Sequence, residues 1–138
     1  MKIYLDANFF IFLVEGPSSA LHRFLLSSLN RDVVLVTSEL TLLETLAGAR
    51  KSGDDRLAAL YEAVLAPGDD LLDVRPIDRA VLRRAAVVRS DPGNKTPDAI
   101  HVATAMEAGC EAFVSSDRKL RVPDGLRKVA LEDVEAIL

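Results

Sequence analysis

The 138 residues carry 17 Lys and Arg against 21 Asp and Glu, a formal charge of −4, and 49% of them are hydrophobic. That size and apolar content fit one globular domain with a filled core and exclude intrinsic disorder. The acidic balance excludes broad electrostatic adhesion to nucleic acid or anionic lipid, but not a nucleic-acid enzyme, because a cation held among carboxylates supplies positive charge locally.

Taken in chain order, Lys2–Leu5 reads as a buried strand. Asp6 and Asn8 cut its apolar run short, so no secretory h-region is expected. The longest apolar run, Phe9–Val14, is far short of the roughly 20 residues a membrane helix needs, so the cytoplasm is the expected compartment. Leu21, Phe24, Leu25 and Leu29 recur at helical spacing, with His22 on the solvated side. Val33–Val36 is a second strand, and Ser38 is placed to cap a helix running to about Ser52, with Gly53 at its stop. Leu57, Leu60, Tyr61, Val64 and Leu65 mark another helix, Pro67-Gly68 a loop and Leu71–Val74 a weaker strand. Asp78 is placed to cap a helix bearing Val81, Leu82, Ala85, Ala86 and Val88, and Pro92-Gly93 marks the loop beyond it. Thr96 is read as the cap of a helix with Pro97 at its first position, Asp98 in its first turn and Gly109 at its stop. Ala112–Val114 and, more weakly, Val129–Leu131 complete the strands. The expected architecture is α/β, a single domain over residues 1–138 with a mainly parallel central sheet flanked by helices on both faces.

Cys110 has no partner for an internal disulfide, and with His22 and His101 it cannot build a tetrahedral zinc site, so any metal here is held mainly by oxygen. In such a fold ligands bind beyond the carboxyl ends of the strands, and acidic residues recur there. Asp6 follows the first strand directly, Asp98 opens a helix, and Asp117 follows Ala112–Val114 by a Ser-Ser step. Alone, each has an ordinary reading as a turn former or helix cap. Together, three carboxylates would repel one another and raise their pKa values unless a cation joined them, and oxygen-only ligation suits Mg²⁺ or Mn²⁺. Glu39 and Glu44 compete for a fourth place. On a helix turning about 100° per residue, Glu39 falls inside the apolar arc of Leu40, Leu42, Leu43, Leu46 and Ala47, and Glu44 lies near its edge. Glu39 has an ordinary role complementing the helix dipole, Glu44 has none, and spacing alone does not choose.

Four segments occur in order: Ile3-Tyr4-Leu5-Asp6-Ala7-Asn8, Thr37-Ser38-Glu39-Leu40-Thr41-Leu42-Leu43-Glu44, Pro97-Asp98-Ala99-Ile100-His101-Val102-Ala103-Thr104-Ala105, and Phe113-Val114-Ser115-Ser116-Asp117. Together they resemble the hydrophobic-Asp-x-Asn start, the Ser-x-x-Thr-x-x-Glu helix, the Pro-Asp-Ala helix and the Thr-x-Asp motif of the PIN-domain ribonucleases, and among these the VapC-type toxins of toxin–antitoxin pairs. Ser115 stands where Thr is commoner, which keeps the hydroxyl and loses a methyl. The resemblance covers nearly the whole chain. It implies that Asp6, Glu44, Asp98 and Asp117 form a catalytic, metal-holding acidic site, with Asn8 and Ser115 orienting carboxylates or bound water. It further implies an Mg²⁺-dependent endoribonuclease, with Mn²⁺ as a substitute, in which metal-activated water hydrolyses RNA phosphodiester bonds. The partners it implies are a second copy of the chain and a cognate antitoxin that covers the acidic site.

The run Arg118-Lys119-Leu120-Arg121 begins right after Asp117, and Lys95 lies just before the Asp98 helix, so Lys95, Arg118, Lys119 and Arg121 are candidates for RNA phosphate contacts. His101, one turn after Asp98, is placed to pair with that carboxylate or to donate a proton, or else to pack behind the site. Three other readings compete. A non-catalytic PIN-fold binding module would be favoured by a lost carboxylate, and none is lost. A phosphatase of the haloacid dehalogenase type wants Asp-x-Asp where this chain has Asn8. A DNA-directed nuclease would use the same carboxylates.

Overall fold

The middle strands of the sheet are apolar on both sides. β1 (Lys2–Leu5), β2 (Val34–Ser38) and β4 (Ala112–Val114) bury nearly every side chain, the mark of strands covered on both faces. β3 (Leu72–Arg75) and β5 (Arg127–Val129) are the edges. The computed structural model describes residues 1–138 and arranges the strands in the order β3-β2-β1-β4-β5, every pair parallel. Side chains alternate along each strand, so Ile3, Leu5, Leu35, Ala112 and Val114 face one half of the core and Tyr4, Val36 and Phe113 the other. The first half is completed by Phe9 and Phe10 of α1 (Ala7–Glu15), Leu21 and Phe24 of α2 (Ser19–Ser28), Ala49 of α3 (Glu39–Lys51), and Ala58 and Tyr61 of α4 (Asp55–Val64). The second is completed by Val81, Ala85 and Val88 of α5 (Arg79–Val88) and by the small residues Ala99, Ala103 and Ala105 of α6 (Thr96–Ala108). No single helix is long and apolar enough to cross a membrane.

Several boundaries differ from the sequence reading. The unpredicted α1 takes in the whole Phe9–Val14 run. An unbroken apolar run has no period to separate helix from strand, and the signal lay in Asp6, whose carboxylate accepts the Phe9 N–H at 3.2 Å and caps the helix. β2 begins at Val34 and continues to Ser38 because Thr37 and Ser38, though polar, are fully buried. β3 likewise starts one residue later, at Leu72. The last strand is Arg127–Val129, and Leu131–Ile137 winds as a 3₁₀ helix over Val134 and Ile137. Only Val129 of that edge strand is buried, so it carries no apolar run to recognise. α6 starts at Thr96, with Lys95 in the capping position and no side-chain cap. Pro97 at its second position is tolerated because first-turn N–H groups lack helical partners anyway. Leu29, Leu60 and Leu82, assigned by spacing to buried stripes, are half exposed at the borders of those stripes. The caps at Ser38 and Asp78 are as expected, accepting the Leu40 and Val81 N–H groups, and Gly109 ends α6 at φ 76°, where a residue with a Cβ is strained.

Candidate active site

The strand order changes direction at β1. The chain runs outward through β2 and β3, then returns to place β4 on the other side of β1. The crevice beyond the carboxyl ends of β1 and β4 is therefore a topological switch point, where open α/β sheets bind ligands. Asp6 leaves the end of β1, Ser115 and Asp117 leave the end of β4, Asp98 stands in the first turn of α6, and Glu44 reaches across from α3.

Each carboxylate is held differently. Asp6 is only 5% exposed. Burial is the main force raising its pKa above the usual carboxylate range, and the Glu44 charge adds to it. The Ser115 hydroxyl, the His101 ring and the Phe9 N–H work in the opposite direction. Asp98 is also raised, first by burial and then by the facing charge of Asp117, whose carboxyl lies within hydrogen-bonding reach, with Glu44 adding and His101 opposing. Asp117 closes a tight turn: its Oδ1 accepts the Lys119 N–H at 2.9 Å, and its own N–H donates to Ser115 Oγ at 3.0 Å. Ser115 therefore stands beside both Asp6 and Asp117. Asn8, in the first turn of α1, is half-buried and bonds none of these carboxylates.

Glu44 is separated from Glu39 by its partner. His101 Nε2 lies 2.5 Å from Glu44 Oε1, while Glu39 makes no such contact in the first turn of α3. Of the roles its position offered, His101 takes the one behind the site: it pairs with Glu44 and not with Asp98, and its Nδ1 is 2.6 Å from the Tyr4 hydroxyl. Beneath α3, the Thr37 hydroxyl donates to the Leu5 carbonyl at 2.7 Å and lies 2.8 Å from the Thr41 hydroxyl, tying the start of the helix to the end of β1.

Two residues escaped the sequence reading. Tyr4 was read only as strand filling, yet it carries the hydroxyl under His101. Lys128 of β5 donates through Nζ to the carbonyls of Asp117 at 2.6 Å and Leu120 at 2.7 Å, bracing the Asp117 turn. The Tyr4 role has no local signature, since its partner His101 is 97 residues away, and Lys128 meets its carbonyls only through the turn between β4 and β5. Arg118, Lys119, Arg121 and Lys95 are exposed around this end of the sheet. Arg121 is also structural, its N–H and carbonyl bonding the Asn94 side chain.

No three His, Cys, Asp or Glu side chains stand in a metal-gripping arrangement. The donor chemistry nevertheless fits a hard divalent cation: four carboxylates and a hydroxyl at one crevice, with Asp6 and Asp98 raised in pKa by burial and by the charges of neighbouring carboxylates. The largest cleft, 390 Å³ and mostly apolar, lies elsewhere, at the start of β2 and β3 against Phe10, Leu13, Leu25 and Leu29. Size alone does not locate the chemistry.

The PIN-domain family model matches residues 3–126, and the chain belongs to the PIN-domain family. Solved structures share the fold. A DNA-bound VapBC from Salmonella typhimurium aligns with a TM-score of 0.76 at 22% identity, over 94% of this chain and 98% of that one. VapBC2 from Rickettsia felis, bound to a DNA fragment from its promoter, aligns at 0.76 and 14% identity over the same shares. VapC20 of Mycobacterium tuberculosis, a Sarcin-Ricin loop cleaving toxin, aligns at 0.67 and 20% identity, over 86% of this chain and 92% of that one. No curated protein sequence matches significantly.

Proposed function

We propose that this chain is an Mg²⁺-dependent endoribonuclease, the toxin of a type II toxin–antitoxin pair. The observation that carries the reading is the meeting of Asp6, Glu44, Asp98 and Asp117 at the switch point of a PIN fold. The structural neighbours support it, since they include VapBC complexes and a toxin described as cleaving the Sarcin-Ricin loop.

Asp6, Asp98 and Asp117, with Glu44, would hold the cation, and Mn²⁺ would substitute for Mg²⁺ because both favour compact octahedral oxygen shells. When bound, such an ion supplies positive charge for a scissile phosphate and lowers the pKa of water for in-line attack. The chain's own residues prepare that site. The Phe9 N–H bonds the Asp6 carboxylate and fixes its direction, and the Ser115 hydroxyl favours its charged form. The Asp117 turn, bonded to Ser115 and braced by Lys128, holds its carboxyl against Asp98. Arg118, Lys119 and Lys95 stand where they would neutralise phosphates along an RNA strand. The same crevice is the surface a cognate antitoxin would cover, and the reading carries a homodimer as its assembly.

Cleavage by the purified protein, measured on structured RNA and on DNA of the same sequence, tests this. RNA cleavage should stop in excess chelator, return with Mg²⁺ or Mn²⁺ and stay absent with Ca²⁺, whose six to eight looser ligands place the attacking water poorly. Undiminished cleavage in chelator contradicts metal dependence, and preferential cleavage of DNA contradicts the assigned substrate.

A further inference from the structure

We propose that His101, braced by Tyr4, is a positioning residue for Glu44 and sets where the fourth carboxylate of the acidic site points. The proposal rests on the reading of Glu44 as part of that site. Three elements meet in the arrangement: Tyr4 on β1, His101 on α6 and Glu44 on α3. The imidazole is 3% exposed, and both of its nitrogens are bonded, Nδ1 to the Tyr4 hydroxyl at 2.6 Å and Nε2 to Glu44 at 2.5 Å. A histidine that only fills core needs no carboxylate from the crevice.

Burial pushes the Tyr4 phenol well above its usual pKa, so the hydroxyl keeps its proton. Nδ1 lies against the Tyr4 hydroxyl and Nε2 against Glu44, so both ring nitrogens are engaged, one by β1 and one by α3. The ring is thereby held from both sides and cannot turn without breaking a contact to one strand or one helix.

Rigidity passes along the same path. Tyr4 is fully buried in the central strand and stacks on Phe113 of the neighbouring strand, ring centroids 5.0 Å apart and planes 11° from parallel. Glu44, by contrast, has a side chain that is 38% exposed, and without a partner its flexible stem would sample several rotamers. The tether gives the exposed carboxylate a direction taken from the middle of the sheet. Partners of this outer kind typically change metal affinity or activity by about 10–100-fold when removed.

Four variants decide it: Tyr4→Phe, His101→Leu, His101→Gln and Glu44→Gln, each measured for Mn²⁺ affinity by calorimetry and for kcat and KM of RNA cleavage. Tyr4→Phe and His101→Leu should both weaken Mn²⁺ binding and lower kcat, by about 10–100-fold, with KM for RNA nearly unchanged. His101→Gln should recover most of the loss, because its amide N–H can donate from near the Nε2 position. In the metal-free protein, the His101 ring and Glu44 side-chain NMR signals should report one fixed environment, and both should shift and broaden in Tyr4→Phe. Tyr4→Phe removes one oxygen and keeps the ring stack, so it carries the test even where His101→Leu does not fold. Wild-type Mn²⁺ affinity and kcat in Tyr4→Phe, alongside a damaged Glu44→Gln, would overturn the positioning role and leave the nuclease reading standing. An undamaged Glu44→Gln would instead remove Glu44 from the site, and the proposal with it.

Discussion

Asp6 caps α1 and faces the acidic crevice at once. Asn caps a helix about as well as Asp, so Asp6→Asn should keep the helix and remove only the charge. Asp98→Asn should do the same for the pair it forms with Asp117. Both carboxyls have folded-state pKa values above their unfolded ones, Asp6 chiefly through burial and Asp98 through burial and then Asp117. The folded state therefore holds extra protons, and this contribution to stability is complete below the unfolded carboxylate range near pH 4 and is lost as pH rises through the raised values. The metal-free wild type should accordingly melt at lower temperature at pH 7 than at mildly acidic pH. Asp98→Asn should narrow that difference and raise the neutral-pH melting temperature, as should added Mn²⁺ in the wild type. Calorimetric melting across pH checks this, and an Asp98→Asn protein less stable than wild type at neutral pH would contradict it.

Among the elements, β5 does more than close an edge. Lys128 reaches under the Asp117–Leu120 turn and donates to two of its carbonyls from a partly buried position. Hydrogen bonds from a charged donor are each worth about 1.5–3 kcal/mol, so Lys128→Met should cost stability of that order and loosen the turn that carries Asp117. Cleavage should fall with it. Arg127→Met is the control, because Arg127 precedes Lys128 in β5, bonds Glu111 through its backbone N–H and has an exposed side chain. Urea unfolding with parallel cleavage assays distinguishes them, and equal behaviour of the two variants would remove Lys128 from the account. The same elements show what the sequence could reveal. β1 is bounded as the apolar run predicts, and α3 follows its Ser38 cap and Gly53 stop, because those signals are local. α1 was hidden by an apolar run without a period, and β5 by an edge position that leaves Arg127 exposed and Lys128 half-buried.

At the scale of the whole molecule, the parallel order β3-β2-β1-β4-β5 gathers carboxylates from positions 6, 44, 98 and 117 at one end of the sheet. The motifs named these four residues, and the contacts among them depend on the fold: the Asp98–Asp117 approach, the Ser115 link and the Tyr4–His101–Glu44 chain all join segments distant in sequence or set by turn geometry. Only the resemblance separated Glu44 from Glu39 beforehand; the His101 contact is an independent physical reason for the same choice. The central claim, that these four carboxylates act as one cation-dependent nuclease site, is tested most directly by RNA cleavage in Mg²⁺ for wild type, Asp6→Asn, Glu44→Gln, Asp98→Asn, Asp117→Asn and Glu39→Gln, each shown to be folded by its thermal transition. The three Asn variants should be inactive and Glu44→Gln strongly impaired. Glu39→Gln should cleave like wild type and lose only about 0.3–1 kcal/mol of stability through the helix dipole. Full activity in any of the Asn variants, or greater damage from Glu39→Gln than from Glu44→Gln, would contradict the account.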